Sequence, residues 1–215
     1  MNHFTDVTGL AGIALALAVV LSALFARATA RLGLSGRAPA LIFGGLLLLM
    51  LLPLPLPLAK LPLAAYLRGM IGDLSMTSLL LLAYAAAHHC GLLVGEVPGR
   101  SDETRARISL LLPVLAAGAF YPLALGVTQT DPYRWGYGEP WFLAALLLVA
   151  IIGNLSRLPL VAASISLAVL AWAVGWYEST NLWDYLIDPL LCLYALGVTS
   201  RPLLSAFAAR RKPAA

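Results

Sequence analysis

Long apolar runs separated by short polar segments dominate the chain. The runs cover about residues 8–26, 39–52, 74–94, 108–127, 141–153, 158–176 and 186–198. Each run is expected to be helical, because a backbone in lipid must satisfy its own hydrogen bonds. The pattern predicts an all-α, polytopic transmembrane bundle of about seven spans, with residues 1–215 forming a single integral membrane domain.

The second run is broken by three prolines at alternate positions, Pro53, Pro55 and Pro57. Because proline lacks a backbone donor and clashes with a helical turn, this helix must end near Leu52. The stretch that follows is expected to be extended. It either lines an outward-facing cavity or partner-docking surface, or is a stiff connector in the interface. Pro62 then suits the start of a short helix.

The basic residues set the orientation of the predicted spans. With the N-terminus outside, 11 of the 14 Lys and Arg residues fall on inner segments, and Lys60, Arg68 and Arg134 fall on outer ones. Inner segments of membrane proteins are enriched in Lys and Arg, so this bias predicts an N-out, C-in topology. The first run is interpreted as a retained span, because Arg27 and Arg31 follow it and no basic residue precedes it.

Composition and charge limit the classes of function. The chain is 61% hydrophobic and 11% charged, against about 25% charged residues in a typical soluble domain. The net charge of +4 does not indicate nucleic-acid binding, because the basic residues are dispersed at span ends. Cys90 and Cys192 lie in apolar runs and give no disulfide framework. Rich use of Ala, Leu, Gly and Arg with short loops favours a bacterial inner membrane.

Polar chemistry concentrates on the predicted outer face. Its first group holds Lys60, Arg68 and Asp73, in which Arg68 and Asp73 are expected to form an ion pair. Outer cations run against the positive-inside bias. The group is therefore either a site for phosphate or carboxylate, or an interfacial turn whose cations extend to the headgroups.

The second group lies in the loop 130–140, which holds Asp131, Arg134, Trp135 and Glu139. Aromatic faces beside carboxylates resemble sugar-binding surfaces, where rings stack on sugars and carboxylates accept hydroxyls. The same composition also suits a Gly- and Pro-rich turn at an interface.

The third group contains Glu178, Asp184 and Asp188. Asp184 is explained as a first-turn carboxylate of the seventh span, which one of three residues is expected to cap: Ser179, Thr180 or Asn181. Asp188 follows by four residues and is predicted to share a helix face with Asp184. A buried carboxylate is costly unless it is paired, protonated or facing a cavity. Asp188 is therefore the predicted functional centre, with one of three basic partners: Arg68, Arg134 or Lys60.

No catalytic residue, metal or cofactor is predicted. His88 and His89 are adjacent and would point about 100° apart on a helix, so they cannot both face one metal. They are interpreted as packing residues.

Three functions fit this pattern. The first is a binding or assembly component of bacterial envelope machinery, whose outer face engages a lipid-linked or glycan ligand or another membrane or periplasmic protein. The second is a small-solute transporter, although ionisable residues are missing from the middles of the first, fourth and fifth spans. The third is an outer-leaflet enzyme that uses paired carboxylates, either Asp184 with Asp188 or Asp131 with Glu139.

Overall fold

The computed structural model describes residues 3–31, 38–52, 61–90, 92, 100–127 and 129–210 of the chain. Side chains are described over 6–22, 42–52, 61–87, 90, 92, 104–127 and 129–201. The described residues form helices joined by turns, with no strand among them. The prediction of an all-α chain is confirmed for this part of the sequence.

The helices follow one another with short connections. Their bounds are α1 His3–Arg31, α2 Ala38–Leu51, α3 Leu63–Ile71, α4 Met76–His89, α5 Arg100–Ala124, α6 Pro140–Leu155, α7 Pro159–Ala173, α8 Trp183–Leu186 and α9 Pro189–Arg210. A 3₁₀ helix, Pro132–Tyr137, lies between α5 and α6.

Proline marks where several helices begin. Pro140, Pro159 and Pro189 are the first residues of α6, α7 and α9. Proline suits this position because its φ is already helical and its missing N–H would have no helical partner there.

The two helix ends predicted around the proline-rich stretch are confirmed. α2 ends at Leu51, and Pro62 occupies the N-cap position of α3. Residues 53–60, between these two helix ends, lie outside the described residues. Both interpretations of this stretch, a cavity wall or docking surface and a stiff connector, stay predictions.

One helix in the described residues is long and apolar enough by itself to cross a membrane. It is the part of α5 from Thr104 to Ala124, and only 11% of its apolar 18-residue window is buried, whereas the core helix of a soluble protein is mostly buried. Five other apolar segments are shorter: Asp6–Ser22, Ile42–Leu51, Met76–Ala87, Pro140–Leu155 and Pro159–Ala173. Membrane association through α5 is supported, and the seven-span bundle stays a prediction.

Contacts group the chain into two compact units, the first made of residues 1–74 and 78–96. In this unit α1 packs against α2 and α3. Three alanines, Ala14, Ala18 and Ala64, are fully buried. Ile13 and Met50 cluster with Ala14 and Ala64, and Phe43 clusters with Ala18. Small side chains allow the helix backbones to approach closely.

The second unit is made of residues 75–77 and 97–215. α5 packs along α9, and α6 packs along α7. Gly153 and Val161 meet where α6 turns into α7, and a β-carbon at Gly153 would lie 3.2 Å from the valine side chain. That the two units form a single membrane domain stays a prediction.

The seventh predicted span differs from its expected form. α8 ends at Leu186, Ile187 is extended with φ −137° and ψ 149°, and α9 begins at Pro189. The prediction that Asp184 and Asp188 share one helix face is therefore wrong. The reason is Pro189, which disfavours helical geometry at the residue before it and starts a new helix instead.

Candidate functional site

Two segments of the second unit are joined by hydrogen bonds in which backbone carbonyls of the first segment accept from groups of the second. They are the 3₁₀ helix Pro132–Tyr137 and the segment Trp176–Leu186, together called the aromatic cap below. Within the cap the Pro132 carbonyl accepts from Trp183 Nε1 at 2.9 Å, and the Gly136 carbonyl accepts from the Leu182 N–H at 2.8 Å.

Asn181 is the central link of the aromatic cap. Its side chain is 1% exposed. Its Nδ2 donates to the Tyr133 carbonyl at 2.8 Å, and its Oδ1 accepts from the Trp183 N–H at 3.0 Å. Its own N–H donates to Ser179 Oγ at 3.1 Å. Buried polar groups of this kind are stable only when they are hydrogen-bonded, so Asn181 fixes the geometry of both segments.

Gly136 makes this link possible. A β-carbon at this position would overlap the Asn181 side chain and would lie 2.9 Å from Trp183 Cδ1. Glycine is therefore required here for close approach of the two segments.

Asp184 lies in the first turn of α8 and is held by hydroxyl groups from both segments of the cap. Its Oδ2 accepts from Tyr133 Oη at 3.0 Å and from Ser179 Oγ at 2.5 Å. Burial, followed by the negative charge of Asp184, raises the pKa of Tyr133 to about 12. The phenol therefore stays protonated at neutral pH and remains a donor to the carboxylate.

Aromatic rings of the cap pack against aromatic rings of the neighbouring helices α5 and α6. Trp183 packs between Phe120 and Phe142, with ring centroids 4.5 Å and 4.8 Å away. At the surface, Tyr137 is 58% exposed and Trp141 is 50% exposed. The Tyr137 ring meets the Tyr133 ring edge-on at 5.8 Å, which places an exposed ring next to the residue that binds Asp184.

Asp188 immediately precedes α9 and is 6% exposed. Its Oδ1 accepts from the Leu191 N–H at 2.9 Å, which is the bond expected of an N-cap residue. Its Oδ2 accepts from the Ser75 N–H at 3.0 Å and from Ser75 Oγ at 2.7 Å. Asp188 therefore joins the start of α9 to the residue before α4. The sequence predicted Asp188 as a functional centre with a basic partner, and this role as a cap of α9 was not anticipated.

The predicted ion pair of Arg68 and Asp73 is confirmed in the first unit. Arg68 Nε and Nη2 donate to the two oxygens of Asp73 at 2.6 Å and 3.1 Å. Nη1 donates to Asp6 of α1 at 2.8 Å. These hydrogen bonds raise the pKa of Arg68 above its usual value. Gly9 lies against the pair, since a β-carbon there would overlap Arg68 Nε and Asp73 Oδ1.

The remaining predicted site residues occupy varied positions. Asp131 caps the 3₁₀ helix, because its Oδ1 accepts from the Tyr133 N–H at 3.0 Å. Trp135 packs edge-on against Trp141 at 4.7 Å. Arg134 and Glu178 are exposed, and Glu139 holds the N-cap position of α6 without a side-chain bond. Lys60 and the side chains of His88 and His89 lie outside the described residues.

Several residues that build these sites are not predictable from the local sequence pattern. Ser75 and Gly136 were not singled out, because their partners lie far away in the sequence and no local pattern marks them. Asn181 was expected as one of three possible helix caps, but Leu182 occupies the N-cap position of α8, and Asn181 instead links the two segments of the aromatic cap. Asp6 could have been found, because it lies at the same predicted outer end as Arg68 and Asp73.

The chain matches no known protein-family model, no curated protein and no solved structure. The function is therefore inferred from the residues of the two units themselves.

Proposed function

We propose that the chain is a multi-pass protein of a bacterial inner membrane, with about seven spans, an outer N-terminus and an inner C-terminus. In this proposal it is a binding component of envelope machinery that engages a glycan or lipid-linked glycan through the aromatic cap. The observation that carries the proposal is a hydrogen-bonded cap in which the exposed Tyr137 ring packs against Tyr133. The Tyr133 hydroxyl in turn donates to the half-buried carboxylate of Asp184.

The apolar surface of the helices supports the membrane part of the proposal. Five leucines on α6, α7 and α9 are between 51% and 65% exposed: Leu147, Leu148, Leu170, Leu193 and Leu196. Contact of such a surface with water costs about 25 cal/mol for each Å². Extended apolar patches on a protein surface mark contact with a membrane or a partner, and lipid tails match leucine chemically.

The rigidity of the aromatic cap supports the binding part. Asn181, Gly136 and Trp183 hold the two segments together before any ligand arrives. A pre-ordered surface binds more tightly because less conformational entropy is lost on binding. A flat exposed ring such as Tyr137 can stack on the apolar face of a sugar ring, and the Asp184 carboxylate, which is bound to the neighbouring Tyr133, can accept hydroxyl groups.

The two alternative functions lose part of their basis. The transporter hypothesis relied on Asp188 as a buried charge without a structural role, whereas Asp188 caps α9 and holds Ser75. The enzyme hypothesis offered two carboxylate pairs. For the first pair, Asp184 and Asp188, each carboxylate belongs to a separate hydrogen-bond group, whereas the second pair, Asp131 and Glu139, stays a prediction.

Binding by the purified full-length protein in lipid nanodiscs tests the proposal. The probes are a polyprenyl diphosphate that carries a disaccharide and the same polyprenyl diphosphate without sugar. We expect saturable quenching of tryptophan fluorescence by the first probe and a dissociation constant at least tenfold weaker for the second. Equal binding of the two probes, or no saturable binding of either, would overturn the proposal.

A matched pair of variants assigns the binding to the cap. Tyr137→Ala removes an exposed ring from the cap and is expected to weaken binding of the disaccharide probe about tenfold, which corresponds to about 1.4 kcal/mol. Leu147→Ala removes a similarly exposed apolar side chain from α6 and is expected to leave the affinity unchanged.

A further inference from the structure

We infer that Oδ1 of Asp184 is the acceptor for a sugar hydroxyl, in a subsite that Tyr133 and Ser179 orient and the Tyr137 ring flanks. This inference rests on the proposed function and names the residue by which the cap recognises its ligand.

The two oxygens of Asp184 differ in their surroundings. Oδ2 accepts from the hydroxyls of Tyr133 and Ser179. Among the residues that the structure describes, no group donates to Oδ1. No described side-chain oxygen is both buried and without a hydrogen bond, so Oδ1 is open to the surface. A carboxylate oxygen in this position can accept a charge-assisted hydrogen bond, which is stronger than one between neutral groups.

The orientation of Asp184 is fixed from both segments of the cap. Asn181 holds the Tyr133 carbonyl and donates its own N–H to Ser179 Oγ. The Ser179 carbonyl in turn accepts from Tyr185 Oη at 2.9 Å. The two residues whose hydroxyls bind Oδ2, Tyr133 and Ser179, are therefore each held by further hydrogen bonds. The Asp184 carboxylate is held in one orientation, with Oδ1 facing the surface. An acceptor held in one orientation favours ligands that carry a hydrogen-bond donor at the matching position.

The ligand chemistry that fits is a neutral polyol rather than a metal ion. A calcium ion takes six to eight oxygen ligands, whereas this position offers one open carboxylate oxygen beside aromatic carbon. Two hydroxyl donors on Oδ2 already offset part of the negative charge. A sugar ring satisfies both features at once, because one hydroxyl can donate to Asp184 while a C–H face packs on Tyr137.

The test compares Asp184→Asn with Glu178→Gln in the same nanodisc assay. Both changes remove one negative charge from the cap, but Glu178 is exposed and makes no hydrogen bond within the described residues. Asp184→Asn is expected to weaken binding of the disaccharide-bearing lipid at least tenfold and to leave binding of the sugar-free lipid unchanged. Glu178→Gln is expected to change neither. Tyr133→Phe, which keeps the ring and removes one donor to Oδ2, is expected to weaken binding of the disaccharide probe about threefold.

Each outcome separates this inference from the proposed function. If the wild type binds the disaccharide probe and both Asp184→Asn and Tyr133→Phe bind it equally well, the subsite is wrong and the proposed function stands. If the wild type does not bind that probe, both fail. If tetramethylammonium competes with the disaccharide probe on the wild type and not on Asp184→Asn, the subsite takes a cation and the assignment to a hydroxyl is overturned.

Discussion

The carboxylates of this chain differ in role according to the hydrogen-bond donors that surround each of them. Asp188 is enclosed by backbone N–H groups and one hydroxyl, while Asp184 keeps one oxygen open. Both are aspartates of the same short segment, and both were candidates from the sequence. Only the distribution of donors separates a helix cap from a surface acceptor.

Asp188→Asn should lower the stability of the protein, because an amide cannot accept hydrogen bonds through both of its terminal atoms. At least one bond to Ser75 or Leu191 would be lost, and a hydrogen bond to a charged group contributes about 1.5–3 kcal/mol. We expect a clearly lower midpoint of thermal unfolding in detergent, with binding per folded molecule unchanged.

Asp131→Asn is the control for this change, because Asp131 is an exposed cap and asparagine caps about as well as aspartate. It should leave the midpoint nearly unchanged. If Asp188→Asn keeps wild-type stability and abolishes binding instead, Asp188 is the functional centre that the sequence alone predicted.

At the scale of secondary-structure elements, the helices could be predicted from the sequence, but the hydrogen bonds between distant segments could not. Apolar runs and prolines predicted helix ends near Leu52, Pro62 and Trp141. The observed ends lie within one residue of these positions, at Leu51, Pro62 and Pro140, because these signals act within one turn of the chain. The bond between Ser75 and Asp188 spans 113 residues, and no local signal specifies it. The split of the seventh run was within reach, since Pro189 favours a helix start, but the apolar pattern continues across it.

Gly136→Ala should loosen the aromatic cap, because the added methyl group would overlap Asn181. Asn181 would have to move, which would leave the Tyr133 carbonyl or the Trp183 N–H without its partner at a cost of about 1–3 kcal/mol. We expect a lower unfolding midpoint together with weaker binding of the disaccharide probe. Thermal unfolding and fluorescence titration of the same preparation measure both effects.

Gly197→Ala is a control for which we expect an unchanged or higher unfolding temperature. Gly197 lies within α9, and a β-carbon there meets nothing within 4 Å. Alanine in a helix interior is more stable than glycine by about 0.5–1 kcal/mol, so this variant should unfold at the same or a slightly higher temperature. A Gly136→Ala protein that behaves like Gly197→Ala would contradict the close approach of the two segments.

For the whole molecule, the strongest sequence signal concerns topology rather than chemistry. Lys and Arg are distributed unevenly over the segments between apolar runs, and this distribution records the direction of insertion rather than contacts in the folded state. Contacts within the folded units therefore do not report the direction of insertion. The length and exposure of α5 bear only on whether this helix crosses the membrane. The direction of insertion can be measured directly at α6, because Tyr137 of the aromatic cap precedes this helix and Arg157 follows it.

Single cysteines at the two ends of α6 should react from opposite sides of the membrane. Tyr137→Cys and Arg157→Cys both replace exposed residues, and each is made in a chain whose Cys90 and Cys192 are replaced by Ala. A membrane-impermeant maleimide added to intact spheroplasts is expected to label position 137 and to label position 157 only after permeabilisation. α6 has 16 residues, or about 24 Å at 1.5 Å per residue, so it must use its polar flanks or a thinned bilayer to cross. Labelling of both positions in intact spheroplasts would mean that α6 does not cross, and the N-out, seven-span topology would fail with it.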